Sequence, residues 1–285
     1  MNKISIKEAL TRASLVLKEA DLDTPRREAE ILLSASLSVP LAYLFAHDDE
    51  ILSDLSAARF FDWVERRACF EPFAYLSGNK EFMGLPILVT PDVLIPRPET
   101  EILVETVVSV LKPLKHQEIL EIGTGSGAVA VSLAVLLPNS FVTSCDLSPA
   151  ALTVAAKNSC CHGVSDRILL LEGDLYEPVK QDKAYNIVVS NPPYIPTADL
   201  CTLPPDVRDY EPLSALDGGP DGLNFYKRLT NELSRLAQRP NFLAFEVGGG
   251  QAGKVARLCT EAGYDEIQYI RDYAGIERVI LAVST

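Results

Sequence analysis

From residue 118 to residue 283 short β-prone apolar runs alternate with stretches of helical periodicity, and this alternation leaves few folds open. Strands are expected at 118–122, 141–146, 167–172, 185–190, 242–247, 265–271 and 277–283, with helices near 127–136, 149–161, 222–238 and 251–263. Parallel neighbours need a crossover connection, and here helices supply it. The expected class is therefore α/β, a mostly parallel, doubly wound, Rossmann-like sheet. The last two of the seven strands follow one another with no helix between them, which suits an antiparallel final strand.

The chain ahead of this pattern reads as helices. Ser5-x-x-Glu8 fits a capping box, and Ile6, Leu10, Ala13 and Leu17 then share one face. Thr24-Pro25 places an N-cap before a proline at the first helical position, opening a run through Ile31, Leu32 and Leu33. A further helix is expected over 40–46 and a fourth after Ser53, with Leu55, Ala58, Phe61 and Val64 on its apolar side. Trp63 reads as core. Gly78-Asn79 marks a turn, and the runs Leu85–Val89 and Val93–Ile95 around Thr90-Pro91-Asp92 suggest a hairpin linker, closed by Pro96-Arg97-Pro98-Glu99. The expected organisation is a small helical domain over 1–77, a β-hairpin linker over 78–98 and the sheet domain over 99–285. A chain of 285 residues, 47% of them apolar, is long enough for both cores.

Charge weighs against some function classes. Lys plus Arg number 26 against 39 Asp plus Glu, a net charge of −13. Such a surface repels phosphate backbones unless a basic stripe overrides it. The basic pairs Arg26-Arg27 and Arg66-Arg67 each lie beside carboxylates, so nucleic acid is disfavoured as a partner. Cys69, Cys145, Cys160, Cys161, Cys201 and Cys259 form no C-x-x-C pair, and His47, His116 and His162 do not cluster with them, so no metal site is expected. Cys145 reads as a small buried hydrophobe, and Cys160-Cys161 as free thiols ending a helix. The start Met1-Asn2-Lys3-Ile4 lacks the apolar core of a signal peptide, and no run approaches membrane-spanning length. The expectation is a soluble, cytoplasmic, monomeric protein.

Four segments carry chemistry. Glu121-Ile122-Gly123-Thr124-Gly125-Ser126-Gly127 follows a strand and opens a helix, and its glycines let the backbone turn sharply and approach a ligand. Its G-x-G-x-G spacing differs from the G-x-G-x-x-G of dinucleotide enzymes. Asp146 ends the next strand, 19 residues after Gly127. A carboxylate there can accept both ribose hydroxyls, a role that fits nicotinamide cofactors and S-adenosylmethionine alike. Gly173-Asp174-Leu175-Tyr176 follows the third strand, where Asp174 can bond an adenine amino group while Leu175 or Tyr176 packs on the ring. Finally, Ile187-Val188-Val189-Ser190 runs into Asn191-Pro192-Pro193-Tyr194. Proline has a fixed φ and no N–H, so the pair stops the strand and aims the Pro192 carbonyl. Asn191 and that carbonyl can accept the two hydrogens of a planar NH2 group, and Tyr194 offers a face on which it can stack. This segment points to S-adenosylmethionine-dependent methylation of a planar nitrogen and makes the seven-stranded methyltransferase sheet the expected fold.

At these residues the chain resembles the HemK/PrmC family, the peptide chain release factor N5-glutamine methyltransferases. The likeness extends through Phe73-Ala74-Tyr75-Leu76-Ser77-Gly78, Thr90-Pro91-Asp92-Val93-Leu94-Ile95-Pro96-Arg97-Pro98-Glu99-Thr100-Glu101, Tyr210-Glu211-Pro212, Ala215-Leu216-Asp217-Gly218-Gly219, Asp221-Gly222-Leu223, Asp272-Tyr273-Ala274-Gly275 and Glu277-Arg278-Val279. It implies methyl transfer from S-adenosyl-L-methionine to the glutamine of the Gly-Gly-Gln tripeptide in release factors, modulating translation termination. It also implies cofactor contacts at Gly123, Thr124, Gly125, Ser126, Gly127, Asp146, Asp174, Leu175 and Asn191, substrate contacts at Asn191, Pro192, Pro193 and Tyr194, and catalysis by Asn191, Pro192 and Tyr194. One departure stands out: many relatives carry Trp where this chain has Leu175, which leaves Tyr176 as a possible partial replacement on the adenine. Gly249-Gly250-Gln251 spells the substrate tripeptide within this chain, between a strand end and a helix start, and reads as a tight turn.

Rival classes remain. An adenine-N6 nucleic-acid methyltransferase would use the same Asn-Pro-Pro-Tyr, against the acidic surface. A nicotinamide-dependent dehydrogenase would share the glycine loop and Asp146 but leave Asn191–Tyr194 unexplained. A non-catalytic binding module would tolerate loss of Asn191.

Overall fold

A computed structural model describes residues 3–112, 115–180 and 182–284. The expectation attached to Met1 and Asn2, that no apolar leader begins there, lies outside these residues. The chain divides into two compact units, residues 1–78 with 204–210, and residues 79–203 with 211–285.

The first unit is helical: α1 (Ile6–Glu19), α2 (Pro25–Leu37), α3 (Leu41–Ala46), α4 (Asp54–Ala68) and α5 (Phe73–Ser77). The capping box opens α1 as expected, the Ser5 hydroxyl accepting from the Glu8 N–H at 3.3 Å while the Glu8 carboxylate accepts from the Ser5 N–H at 2.9 Å. Thr24 sits at the N-cap of α2 but makes no side-chain cap; Pro25 alone marks that start. Ile6, Ala9, Leu10, Ala13 and Leu17 of α1 pack with Leu32 and Leu33 of α2 and with Phe60 and Val64 of α4. Of the expected row of α4, Val64 is buried, joined by Phe60, while Leu55 is 83% exposed. Phe61 lies at the edge, under the Arg12 guanidinium 4.7 Å from its ring centroid. Trp63 is half-buried against this core.

The second unit opens with an antiparallel hairpin, β1 (Asn79–Phe82) and β2 (Leu85–Leu88). Its turn is Met83-Gly84, with φ of +51° and +72°. Positive φ at both central residues lets a two-residue turn match the twist of its strands. Thr90-Pro91-Asp92 does form a turn, the Val93 N–H donating to the Thr90 carbonyl at 3.1 Å, but it does not join the strands of the hairpin, and Val93–Ile95 is not a strand. The Met83 N–H donates to the Glu101 carboxylate of α6 (Pro98–Leu111) at 2.6 Å, which supplies what local sequence does not.

The remaining elements are β3 (Gln117–Ile122), α7 (Ala128–Leu136), β4 (Ser140–Asp146), α8 (Pro149–Cys161), β5 (Ile168–Glu172), β6 (Ile187–Ser190), the one-turn α9 (Pro205–Arg208) of the first unit, α10 (Asn224–Asn231), β7 (Phe242–Glu246), α11 (Ala252–Glu261), β8 (Glu266–Arg271) and β9 (Glu277–Val283). The helix expected over 222–238 is shorter, giving way to a 3₁₀ turn over Glu232–Arg235. The seven-stranded sheet has the order β5-β4-β3-β6-β7-β9-β8. β3 to β7 pair in parallel, and β9 runs antiparallel to both β7 and β8. The central β6 is buried at every position, the continuous apolar reading typical of a parallel strand covered on both faces. Its neighbours Leu120, Leu243 and Phe245 join Tyr226, Val255 and Tyr264 in one core. Among the described residues no helix is long and apolar enough to cross a membrane.

Candidate active site

The chain leaves β3 toward β4 and β5, then returns across β3 to β6 on its other side. Such a reversal opens a crevice beyond the carboxyl ends of the two strands, where open α/β sheets hold their ligands. A cavity of about 740 Å³ lies here. Its walls come from the loops after four strands: Gly123–Ser126 after β3, Asp146–Ser148 after β4, Gly173–Leu175 after β5 and Ser190–Pro193 across the end of β6.

The β3–α7 loop is shaped by backbone constraints. Gly123 has φ +84°, its N–H donates to the Cys145 carbonyl at 2.8 Å, and a Cβ there would stand 3.9 Å from the Asn191 carbonyl oxygen. Gly127, at φ +78°, serves another purpose. A Cβ on it would meet the Cβ of Ala155 at 2.9 Å, so this glycine lets α7 start against α8. Asn158 of α8 fastens the loop: its amide donates to the carbonyls of Leu88 at 2.9 Å and Ser126 at 2.8 Å, and its oxygen accepts from the Leu88 N–H at 2.8 Å.

Asp146 is gripped from two sides, one oxygen accepting from the Gly125 N–H and the other from the Ser148 N–H, each at 2.8 Å. Each carboxylate oxygen retains acceptor capacity for a ligand hydroxyl. Glu121 also lines the cavity. It is fully buried; burial pushes its carboxyl up to about 8, opposed by a hydrogen bond from Ser144 and reinforced by the neighbouring charge of Asp146. Ser144 in turn meets the Thr124 hydroxyl at 2.7 Å.

At the end of β6 the Ser190 hydroxyl donates to the Ile122 carbonyl at 2.7 Å, tying the two central strands together where the cavity begins. The Asn191 amide donates through Nδ2 to the Thr100 hydroxyl of α6 at 3.1 Å, which leaves its Oδ1 as the remaining acceptor. Past Tyr194 the Ile195 N–H donates to the Leu216 carbonyl at 3.0 Å and the Gly218 N–H to the Ile195 carbonyl at 2.8 Å. This strap brings Pro212–Ala215 and Asp217 to the cavity wall.

Of the residues singled out in the sequence, Gly123, Thr124, Gly125, Ser126, Asp146, Asp174, Leu175, Asn191, Pro192 and Pro193 line this one cavity, while Gly127 and Tyr194 do not. Tyr194 lies next to the lining rather than in it. Its ring packs against Gly248, its carbonyl accepts from the Gln251 amide at 2.8 Å, and burial pushes its phenol up to about 12. Tyr176 is not a substitute for Trp on a ligand ring, since it is buried in the core with its hydroxyl donating to the Leu229 carbonyl at 2.9 Å. Leu175, at φ +51°, faces the cavity instead. Asp174 reaches the cavity already paired with Arg228 of α10, at 3.0 and 2.9 Å.

Sequence reasoning missed Glu121, Thr100, Arg228 and Phe225 as parts of the site or its support. Glu121 had a signal, a lone carboxylate inside Ile119-Leu120-Glu121-Ile122. Thr100 and Arg228 come from distant chain and have none. Among the described residues no group of three or more His, Cys, Asp or Glu is placed to hold a metal ion.

The donor set fits an adenosyl ligand: a carboxylate with spare acceptor capacity at the tip of β4, a loop without a Cβ at its closest approach, and apolar walls from Leu175, Val129 and Phe225. Fold and site together define an S-adenosylmethionine-dependent methyltransferase. Residues 98–200 match the methyltransferase small domain and residues 8–78 the PrmC N-terminal domain. The chain belongs to the release factor glutamine methyltransferase family. It is 44% identical over 280 residues to the release factor glutamine methyltransferase of Moorella thermoacetica, covering 98% of each chain. It is also 40% identical to that of Geobacter sulfurreducens, over 97% of this chain and 95% of the relative. Among solved structures, the hMettl16 catalytic domain in complex with the MAT2A 3'UTR hairpin 6 shares the fold at a TM-score of 0.58, with 18% identity over 83% of this chain and 84% of that one. A human methyltransferase 10 domain containing protein does so at 0.53, with 19% identity over 70% and 90%.

Proposed function

We propose that this enzyme transfers the methyl group of S-adenosyl-L-methionine to the side-chain amide nitrogen, N5, of the glutamine in the Gly-Gly-Gln motif of peptide chain release factors, modulating translation termination. The observation that carries the reading is Asn191. Its Nδ2 is engaged by Thr100, so the group it offers the cavity is an acceptor, which is what a substrate NH2 requires.

Asp146 would hold the ribose hydroxyls, Gly123–Gly127 would bring backbone close to the cofactor, and Leu175 would cover the adenine, with Asp174 near its amino group. The cofactor supplies an electrophilic methyl carbon on a sulfonium sulfur. An amide nitrogen is a weak nucleophile because its lone pair is delocalised into the carbonyl. Asn191 Oδ1 and the Pro192 carbonyl, each accepting one of its hydrogens, favour the positive charge that develops on nitrogen during attack. They also orient its lone pair, and orientation of this kind is worth effective molarities of roughly 10⁵ to 10⁸ M. The nitrogen would take the methyl group from the sulfonium, which would leave as the neutral thioether, and the surplus N–H proton would pass to solvent, leaving the neutral N-methyl amide. Tyr194, after the two prolines, would offer the substrate amide a flat face on which to stack.

The family supports release factors as the substrate, and an acidic chain of net charge −13 supports a protein over a nucleic acid. The domain division follows the same reading: residues 1–77 recognise the substrate, 78–98 link, and 99–285 catalyse. The enzyme works as a cytoplasmic monomer with one release factor at a time. Isotopically labelled S-adenosylmethionine offered with release factors, duplex DNA and ribosomal RNA tests this. Label mapped to the Gly-Gly-Gln glutamine is the expected result; label confined to nucleic acid would overturn the protein substrate.

A further inference from the structure

The tripeptide Gly249-Gly250-Gln251 has no part in the mechanism above. It forms the turn between β7 and α11: the Gln251 N–H donates to the Gly248 carbonyl at 3.1 Å, and the Gln251 Oε1 accepts from the Gly248 N–H, also at 3.1 Å. The other end of the same side chain reaches out of the turn. Its Nε2 donates to the Tyr194 carbonyl at 2.8 Å and to the Gly222 carbonyl at 3.4 Å, 57 and 29 positions away. One buried amide thus ties together the loops after β6, before α10 and after β7. Its nitrogen is taken by backbone carbonyls and it is not part of the cavity wall, so Gln251 is not itself placed as a methyl acceptor.

We propose that Gln251 is a positioning residue that holds the substrate-binding strap Asn191–Tyr194 at its carboxyl end. The proposal rests on the reading that Asn191 and the Pro192 carbonyl accept the substrate NH2. The strap needs tethers from outside because proline has no N–H, so Pro192 and Pro193 offer no backbone donor by which it could hold itself. At one end the Asn191 amide donates to the Thr100 hydroxyl at 3.1 Å. At the other the Tyr194 carbonyl accepts from Gln251, and the Ile195 N–H continues to the Leu216 carbonyl. The Pro192 carbonyl lies between these anchors, and both set its direction.

Close packing leaves the second anchor little slack. A Cβ on Gly218 would stand 2.8 Å from Tyr194 Cα, and one on Gly248 would stand 2.9 Å from Tyr194 Cδ2 and 2.8 Å from Gln251 Oε1. A Cβ on Gly222 would overlap the Tyr194 carbonyl oxygen and Gln251 Nε2. Three glycines therefore let backbone close on Tyr194. The Tyr194 and Gly222 carbonyls converge on one nitrogen, and without that donor two acceptors would face each other. The strap would then shift to relieve them.

The test uses the full-length enzyme as wild type, Gln251→Met and Gln251→Glu, which keep the length of the side chain. In wild type labelled with ¹⁵N-glutamine, the Gln251 side-chain NH2 should exchange with solvent far more slowly than that of the exposed Gln238. In single-turnover transfer to a release factor, Gln251→Met should be slower by about 10²-fold at every pH, with S-adenosylhomocysteine affinity within a few-fold of wild type. Gln251→Glu should match that loss at pH 9, where the new carboxylate can only accept. Its rate relative to wild type should recover as pH falls and the protonated carboxyl donates to the Tyr194 carbonyl. A side chain that only filled space would show no such recovery. Exchange of Gln251 as fast as that of Gln238, transfer by Gln251→Met within a few-fold of wild type, a loss matched by lost S-adenosylhomocysteine affinity, or a relative rate of Gln251→Glu that stays flat with pH would each overturn the proposal. No transfer to release factors by wild type would instead overturn the substrate reading, with the exchange rate still deciding whether Gln251 holds the strap.

Discussion

The helical unit and the sheet unit bury different chemistry. Among the described residues the bundle buries the polar side chains Glu30 and Ser36; the sheet unit buries many more, and Thr100, Glu121, Thr124, Ser126 and Ser190 among them line one cavity. The bundle is held by an apolar row meeting an apolar row, Leu10 and Leu17 against Leu32, Leu33 and Phe60, with caps at helix starts. The sheet unit carries the same kind of core and adds to it two carboxyls that burial holds far from their ordinary range. Buried polar groups weaken a fold unless satisfied, so their concentration marks where chemistry rather than packing set the residue. The bundle is organised for stability and for its surface, the sheet unit for its interior.

The comparison can be broken most forcefully at Phe60. Replacing this fully buried ring with Ala should destabilise the bundle by about 3–5 kcal/mol, while S-adenosylhomocysteine binding by the sheet unit persists. Chemical denaturation followed with a ligand-binding titration checks it, and lost binding would show that the sheet unit's site depends on the bundle's core.

A smaller effect should appear in the sheet unit as pH changes. Glu121 in the folded protein titrates near 8 against an ordinary value of 4.5, so between those values the folded state holds a proton that the unfolded state has lost. Stability therefore falls as pH rises through this window and is flat below it, by an amount on the order of a few kcal/mol. Glu246 adds the same sign between 4.5 and about 7. Thermal melts from pH 5 to pH 9 should show the decline, and Glu121→Gln should flatten it. A slope unchanged in that variant would mean that Glu121 is ionised throughout. The slightest change is expected at the bundle's first cap, where Ser5→Ala should lower stability by about 1 kcal/mol with no effect on methyl transfer. Altered transfer would extend the functional surface to α1.

The two units also differ in how far their sequences disclose them. The strands of the sheet unit were legible because a covered parallel strand is an unbroken apolar run, as in Ile187-Val188-Val189, and because Gly123–Gly127 and Asn191–Pro193 place unusual residues at strand ends. The bundle's helices were legible from Ser5, Pro25 and Ser53, but of the buried row of α4 only Val64 was. Periodicity allows several faces, and only packing selects Phe60 and Val64 over Leu55. The Met83-Gly84 turn escaped because methionine carries no turn preference, and its N–H is claimed by Glu101 from 18 residues away. Within the site, Glu121 was missed despite a local signal, while Thr100 and Arg228 reach it from distant chain: Thr100 meets Asn191 across 91 positions and Arg228 meets Asp174 across 54. The surroundings of Tyr194 are likewise not local, since Gly248 and Gln251, which hold it, lie beyond another strand. Local pattern announces a strand end and its chemistry; it does not announce which side chains come to hold it.

The most direct measurement is single-turnover methyl transfer to a release factor by wild type and Asn191→Ala, with S-adenosylhomocysteine affinity measured on both. If Asn191 acts on the reacting amide, the transfer rate falls by about 10²- to 10³-fold while the affinity stays within a few-fold. Equal rates, or a loss of rate matched by a loss of cofactor affinity, would contradict the role given to Asn191.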